Sequence, residues 1–401
     1  MKYCNSLKYI GSFDKAPESS ALSPKRAREL CDKLGRINLG VRYICLPKGS
    51  AGHASAVMLE AIMTQAGHSV GRVRLYENDP RAAVFVSGKI PSVVDFGAAV
   101  SELKSAVNRL PDESFYFEEV CFVLSLLICR MSGCEYIILE GICSDSTLES
   151  ICAPYEIIVI PSVYSEEGVQ GSVRTLSESI RRGTREVVSG NQKSEVYNVI
   201  SKACANSGVR LCLPVKAQFE VKEVSSRSLS FNYCGREGFT MRSPSRLLRD
   251  VAMTVIECSL ALRRGGVKLP WSSITSGISS VTDTGCFDMV SLSPLILMDT
   301  ASDVGELELL AATAREVWGE DALKDAAIFT TESVQRVKYV FGNDADITLC
   351  GGVPEDGVRA VDTVKACGRA LLEQNKRGGK SVCFGPFEFV EELKSELLKL
   401  M

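Results

Sequence analysis

A regular alternation of apolar strands with amphipathic stretches constrains this chain most. Residues 41–46, "VRYICL", run into the Gly/Ser-rich turn "PKGSAGHAS" and then "AVMLEAIM". A strand, a small-residue turn and a helix in that order place backbone N–H groups and a positive helix end where a phosphate can sit. Further strands are expected at "EYIIL" (135–139), "EIIVI" (156–160) and "VRLCL" (209–213), with helical stretches such as 172–182 and 193–207 between them. Strands alternating with helices predict a parallel sheet covered on both faces. Residues 219–223 and 228–233 flank a Ser-rich turn and read as a β-hairpin insertion. A long helical pattern over 244–264 stops at "RRGGVKLP", and a short helical piece follows near 271–279. From about residue 282 a second cycle predicts strands at 294–299, 326–331, 345–350 and 380–385, with helices at 304–318, 331–341, 357–375 and 386–400. The expected architecture is α/β in two domains: a P-loop-like parallel-sheet domain over 1–281 and a smaller Rossmann-like α/β domain over 282–401.

Composition narrows what such a chain does. Its 401 residues, 45% of them hydrophobic, suffice for two cores. A net charge of −3 with no long Lys/Arg run gives no electrostatic pull toward nucleic acid or an anionic membrane. Sixteen cysteines lie scattered through apolar segments, without a C-x-x-C and with only two histidines, so they read as reduced core thiols of a cytoplasmic protein and not as zinc ligands. The start, "MKYCNSLKYIGSFDKAP", has no apolar signal core. "VCFVLSLLIC" (120–129) is about half of what a membrane span needs and reads as a buried helix.

Several segments, taken in order, resemble folylpolyglutamate synthase and dihydrofolate synthase, of the Mur ligase superfamily. "NSLKYIGSF" with "RARELCDKLG" is similar to that family's N-terminal helix and connecting loop, and "HASAVMLEAIMTQAGHSVG" to its P-loop helix and exit strand. "SFYFEEVCFVLSLLICRMSGCEYIILEG" resembles the helix–strand unit that ends in a metal-binding glutamate, here Glu140. "PLILMDTASD" stands where the family has Asp-Gly-Ala-His-Asn. The resemblance implies the Mur ligase central-domain type of fold. It also implies a reaction in which ATP activates a carboxylate as an acyl phosphate that the amine of glutamate then attacks. That chemistry needs a P-loop lysine, magnesium held by Ser/Thr, Glu and His, and a basic clamp from the second domain.

The residues at those positions depart from the family. Matching the glycines of Gly-x-x-Gly-Lys-Gly-Ser aligns Gly49 and Gly52, keeps Ser55 as a magnesium ligand and puts His53 at the lysine position. Matching the downstream helix instead puts Gly52 at the lysine and Ala54 at the serine. Lys48 lies on the far side of the turn. Glu140 is kept, the Asp-His pair after the next strand reads Glu166-Glu167, and Glu167 offers an oxygen ligand. Where many family members use a lysine, often carbamylated, to hold a second metal, this chain has Arg181, Arg182 and Arg185, with no lysine from 105 to 192. Pro-Gly-Arg has become Thr284-Gly285-Cys286, the Asp-Gly-Ala-His-Asn motif has become Asp299 to Asp303 with Ser302 for the histidine, and Asp250 replaces a nucleotide-contacting asparagine.

The expected nucleotide site is therefore Gly49, Gly52, His53, Ser55, Asp250, Asp299 and Ser302, with Glu140, Glu167 and Ser55 toward a metal. Losing several groups that act on the same phosphates removes catalysis. The favoured expectation is a synthase-like protein without ligase activity, binding a small-molecule carboxylate, a folate or a protein partner. The alternative is a divergent ligase that uses ATP and magnesium to add glutamate to a folate or related carboxylate. A cysteine nucleophile lacks a base, because His68 sits at a helix end.

Overall fold

The computed structural model describes residues 2–17, 22–74, 79–141, 148–164, 177–180, 183–282, 284–293, 295–321, 323–351, 358–376 and 378–400. The first sheet has seven strands: β1 (Arg42–Leu46), β2 (Val70–Arg74), β3 (Val84–Val86), β4 (Tyr136–Glu140), β5 (Ile157–Ile160), β6 (Glu186–Ser189) and β7 (Arg210–Cys212). Their order is β3-β2-β4-β1-β5-β6-β7, and all pairs are parallel except β2 with β3. β4 and β5 are buried along their whole length, which explains their unbroken apolar sequences: a parallel sheet is covered on both faces.

Side-chain parity assigns each residue to a face. Tyr43, Cys45, Ile137 and Leu139 enter the core beneath helices Tyr3–Ile10, Pro24–Lys33, Val93–Val107 and Phe117–Met131. Ile44, Leu46, Tyr136 and Ile138 enter the opposite core, under helices Ser50–Gln65, Arg246–Arg264 and Trp271–Ser280. By the same parity Arg72, Arg74 and Glu140 share the face that helix Ser50–Gln65 covers.

Three antiparallel strands follow: β8 (Phe219–Val224), β9 (Leu229–Tyr233) and β10 (Arg236–Met241). The expected hairpin thus gains a third strand, unreadable in "REGFTM" because only Phe239 and Met241 of it are buried. The second domain is a six-stranded sheet of β11 (Asp288–Leu292), β12 (Leu295–Asp299), β13 (Ala326–Thr330), β14 (Asp346–Cys350), β15 (Arg359–Val361) and β16 (Lys380–Phe384). The order is β11-β12-β16-β13-β14-β15, with β11 an antiparallel edge. The helix expected over 357–375 begins at Val364, because Arg359–Val361 pairs as the edge strand β15 beside β14.

Residues 120–129 lie in the buried helix Phe117–Met131, and among the described residues no helix is long and apolar enough to cross a membrane. The described cysteines are all free thiols, most of them buried. Most of the expected helix 172–182 lies outside the described residues.

Candidate functional site

β1 lies between β4 and β5 at the point where the chain reverses its order across the sheet, the place where open α/β sheets bind ligands beyond their strand ends. Leu46 pairs with Glu140 at the ends of β1 and β4, so the turn after β1 starts beside that carboxylate. Gly49, with φ +124°, caps helix Ser50–Gln65 and accepts the His53 N–H at 2.8 Å. A Cβ on Gly52 would lie 2.0 Å from the Pro47 carbonyl oxygen, so only glycine lets the helix close this tightly onto the turn.

The C-terminal ends of β12 and β16, neighbours in the second sheet, face this turn. Between the two domains is a cavity of about 140 Å³, lined by residues that include Lys48, Ser50, His53, Arg74, Glu140, Ser302 and Phe387. Ser50 donates its hydroxyl to the Thr300 carbonyl at 2.7 Å and to Glu306 Oε2 at 3.3 Å, tying the helix start to the second domain.

A chain of buried charges runs along the sheet face toward the cavity. Gly88 N donates to Glu60 Oε1 at 2.6 Å, and Arg72 Nε donates to Glu60 Oε2 at 2.6 Å. Arg72 Nη1 donates to Glu140 Oε1 at 2.6 Å, and His53 Nδ1 lies 2.9 Å from Glu140 Oε2. Both oxygens of Glu140 therefore carry a protein partner. Burial alone would raise the Glu140 carboxyl, but the charges and hydrogen bonds of His53 and Arg72 bring it down to about 2. Burial likewise opposes the charge on Arg72, and Glu140 with Glu60 more than restores it. The hydrogen bond to a carboxylate places the proton of His53 on Nδ1, and its buried Nε2 has no hydrogen-bond partner.

The apo form of the Lactobacillus casei folylpolyglutamate synthase aligns over 100% of both chains with a TM-score of 0.79 and 16% identity, and a folylpolyglutamate synthase–AMPPCP complex does so at 0.80 and 16%. The synthase of Thermotoga maritima aligns over 100% of this chain and 97% of its own at 0.77 and 16%. That of Mycobacterium tuberculosis, complexed with ADP and AMPPCP, aligns over 99% and 98% at 0.77 and 15%. This chain has the folylpolyglutamate synthase fold. No protein-family model matches the sequence, and no curated protein does.

Within the synthase fold, the residues singled out in the sequence separate into three groups. Gly49, His53, Glu140 and Ser302 line the cavity together. Ser55, Asp250 and Asp299 do not. Ser55 is fully buried in the second helical turn and donates to the Ala51 carbonyl at 2.7 Å, because the helix begins at Ser50 and turns residue 55 inward. Asp250 accepts the Tyr164 hydroxyl at 2.7 Å beside helix Val304–Trp318. Asp299 ties down its own turn, accepting the N–H groups of Phe287 and Ala301, each at 2.7 Å. Burial raises Asp299 to about 7 against those two donors, and burial with the nearby Asp303 raises Glu306 to about 8.

Glu166, Glu167, Arg181 and Arg182 lie outside the described residues. Arg185 points away from the cavity: it pairs with Glu156 and Glu186 and donates to the Ala261 carbonyl at 2.7 Å, at the end of helix Arg246–Arg264. Lys48 is exposed and pairs with Glu388 at 3.5 Å.

The sequence reading missed Arg72, Glu60, Ser50 and Glu306. Two arginines at alternate positions in "VGRVR", an otherwise buried strand, were the available signal. Among the described residues no three His, Cys, Asp or Glu side chains are grouped to hold a metal ion. The donors around Glu140 do not suit magnesium, which takes oxygen ligands in near-octahedral geometry, since the two groups nearest that carboxylate are an arginine and a histidine.

Proposed function

We propose that this chain is a folylpolyglutamate-synthase-like protein that has given up ATP-dependent ligation and acts as a binding or regulatory protein in the cytoplasm. The supporting observation is the pairing of both Glu140 oxygens with Arg72 and His53. A divalent ion brought to this carboxylate would meet a fixed guanidinium. Each unit of like charge at about 4 Å, with an effective dielectric of ~20, is unfavourable by roughly 4 kcal/mol. The cavity's volume of about 140 Å³ also falls below the roughly 300–1,000 Å³ usual for small-molecule ligand sites. A small carboxylate or folate fragment, or a protein partner, suits such a cleft better than a magnesium triphosphate.

Thermal melting with and without Mg-ATP, beside an assay for glutamate addition to folates, tests this. No shift in Tm and no ATP-dependent product are expected; a clear rise in Tm together with product overturns the proposal. The second reading, a divergent acid–amino-acid ligase, draws support from Lys48 and Arg74 on the cavity wall and from the helix N-terminus at Ser50. The same two measurements decide between them.

A further inference from the structure

Residues 386–388 leave the end of β16 and open the helix Phe387–Leu400. Two of their side chains make three contacts with the first domain. The Phe387 ring lies 4.4 Å from the His53 ring, centroid to centroid and tilted by 54°. The Arg74 guanidinium stands 4.4 Å from the centroid of the same Phe387 ring. The Glu388 carboxylate reaches Lys48 Nζ at 3.5 Å. A planar ring thus meets both an imidazole and a guanidinium, with a carboxylate one residue away on an ammonium group. Rings and guanidinium planes attract by cation–π and stacking contacts that a saturated ring cannot make.

Gly285 packs beside this ring: at φ +69° it would carry a Cβ 2.6 Å from Thr300 Cγ2 and in ordinary contact, 3.5 Å, with Phe387 Cδ2. The hold on residues 387 and 388 is light, because Phe387 is only partly buried and the Lys48 and Glu388 side chains are 60% and 46% exposed. Deeper in, His53 Nε2 is buried without a partner beside this ring. That nitrogen therefore has a hydrogen bond left to make with a ligand.

We propose that the cavity is a binding site for a planar aromatic carboxylate, which enters by displacing Phe387 and Glu388 and takes over their contacts with His53, Arg74 and Lys48. The proposal rests on the cavity being the functional site and deepens the binding role above. A ligand that must expel a resident side chain binds more weakly by the fraction of time the site is open, so removing the resident group tightens binding.

Isothermal titration of 4-hydroxybenzoate into the wild type, Phe387→Ala and Phe387→Leu tests this, with cyclohexanecarboxylate as a probe of equal charge and similar size. Phe387→Ala is expected to bind 4-hydroxybenzoate about tenfold or more tightly than the wild type. Phe387→Leu, which keeps the bulk, should stay near the wild type, and cyclohexanecarboxylate should bind several-fold more weakly throughout. Equal affinity of wild type and Phe387→Ala, or equal affinity for the two acids, overturns the proposal. Circular dichroism checks folding; should Phe387→Ala fail to fold, Glu388→Ala takes its place, with a gain of a few-fold expected and no gain overturning the site. Mg-ATP stabilising the wild type while 4-hydroxybenzoate binds Phe387→Ala removes the non-ligase reading and leaves the aromatic site standing. Absence of aromatic binding in Phe387→Ala removes the site whatever ATP does.

Discussion

Glu140 and Glu306 stand behind the same cavity on opposite domains, 7% and 8% exposed, yet their carboxyls are driven in opposite directions. Glu140, met by His53 and Arg72, is held at about 2; Glu306, met by a backbone N–H and the hydroxyls of Ser50 and Ser302, is pushed up to about 8. Equal burial thus gives an ionised acid in one wall and a largely protonated one in the other. Partner chemistry decides the charge state: a guanidinium within hydrogen-bond distance outweighs desolvation, and neutral donors do not. The first wall neutralises its acid with a protein cation, the second with a proton.

Breaking the first wall should have the largest destabilising effect. Arg72→Met strands Glu60 and Glu140 without their shared cation, and a loss of about 3–5 kcal/mol in urea-unfolding free energy at pH 7 is expected. Adding Glu60→Gln and Glu140→Gln should recover most of it, and a triple variant as unstable as Arg72→Met would show that the chain is not coupled.

The second wall gives an effect of opposite pH sign. For Glu306 the folded value lies above the ordinary 4.5, so its contribution is fully present below 4.5 and is lost as pH rises toward about 8. Glu306→Gln should therefore stabilise by roughly 4–5 kcal/mol at pH 8.5 and change little at pH 4.5. A gain that does not depend on pH would refute the assignment. Glu140 has its folded value below 4.5, so its contribution is present above 4.5 and lost as pH falls toward about 2. The acid limb of a urea-midpoint profile should flatten in Glu140→Gln, and an unchanged limb would mean that the first wall does not carry it.

The smallest effect is expected at Ser55, whose hydroxyl only bonds back to Ala51 within its own helix. Ser55→Ala should change stability by less than about 1 kcal/mol and leave the binding of 4-hydroxybenzoate to Phe387→Ala unaltered. A larger loss of binding would place Ser55 in the site after all.

The alternation of apolar strands was enough to read β1, β4, β5, β12, β13, β14 and β16, because buried parallel strands need continuous apolar sequence. β10 and β15 were not legible, since edge strands with one or two buried residues look like loop or helix. At the site, the motif positions Gly49, His53 and Glu140 were visible because each lies next to a strand end in the chain. Phe387, Glu306 and Arg72 were not, for their role comes from partners 334, 256 and 68 positions away.

By itself, then, the sequence determined the two α/β domains and the turn after β1, since local pattern decides which segments become strands and helices and where small residues permit a tight turn. It also revealed that the P-loop lysine position holds His53 or Gly52, with the nearby lysine, Lys48, ahead of the glycines. Only the tertiary structure decided what takes the lysine's place: strand parity puts Arg72 on the face of Glu140, within hydrogen-bond reach of it, His53 turns to the same carboxylate from the facing helix, and the second domain lays Phe387 against His53 and Arg74. Charge balance in a buried cleft depends on groups brought together across the fold, and no local pattern encodes those distances.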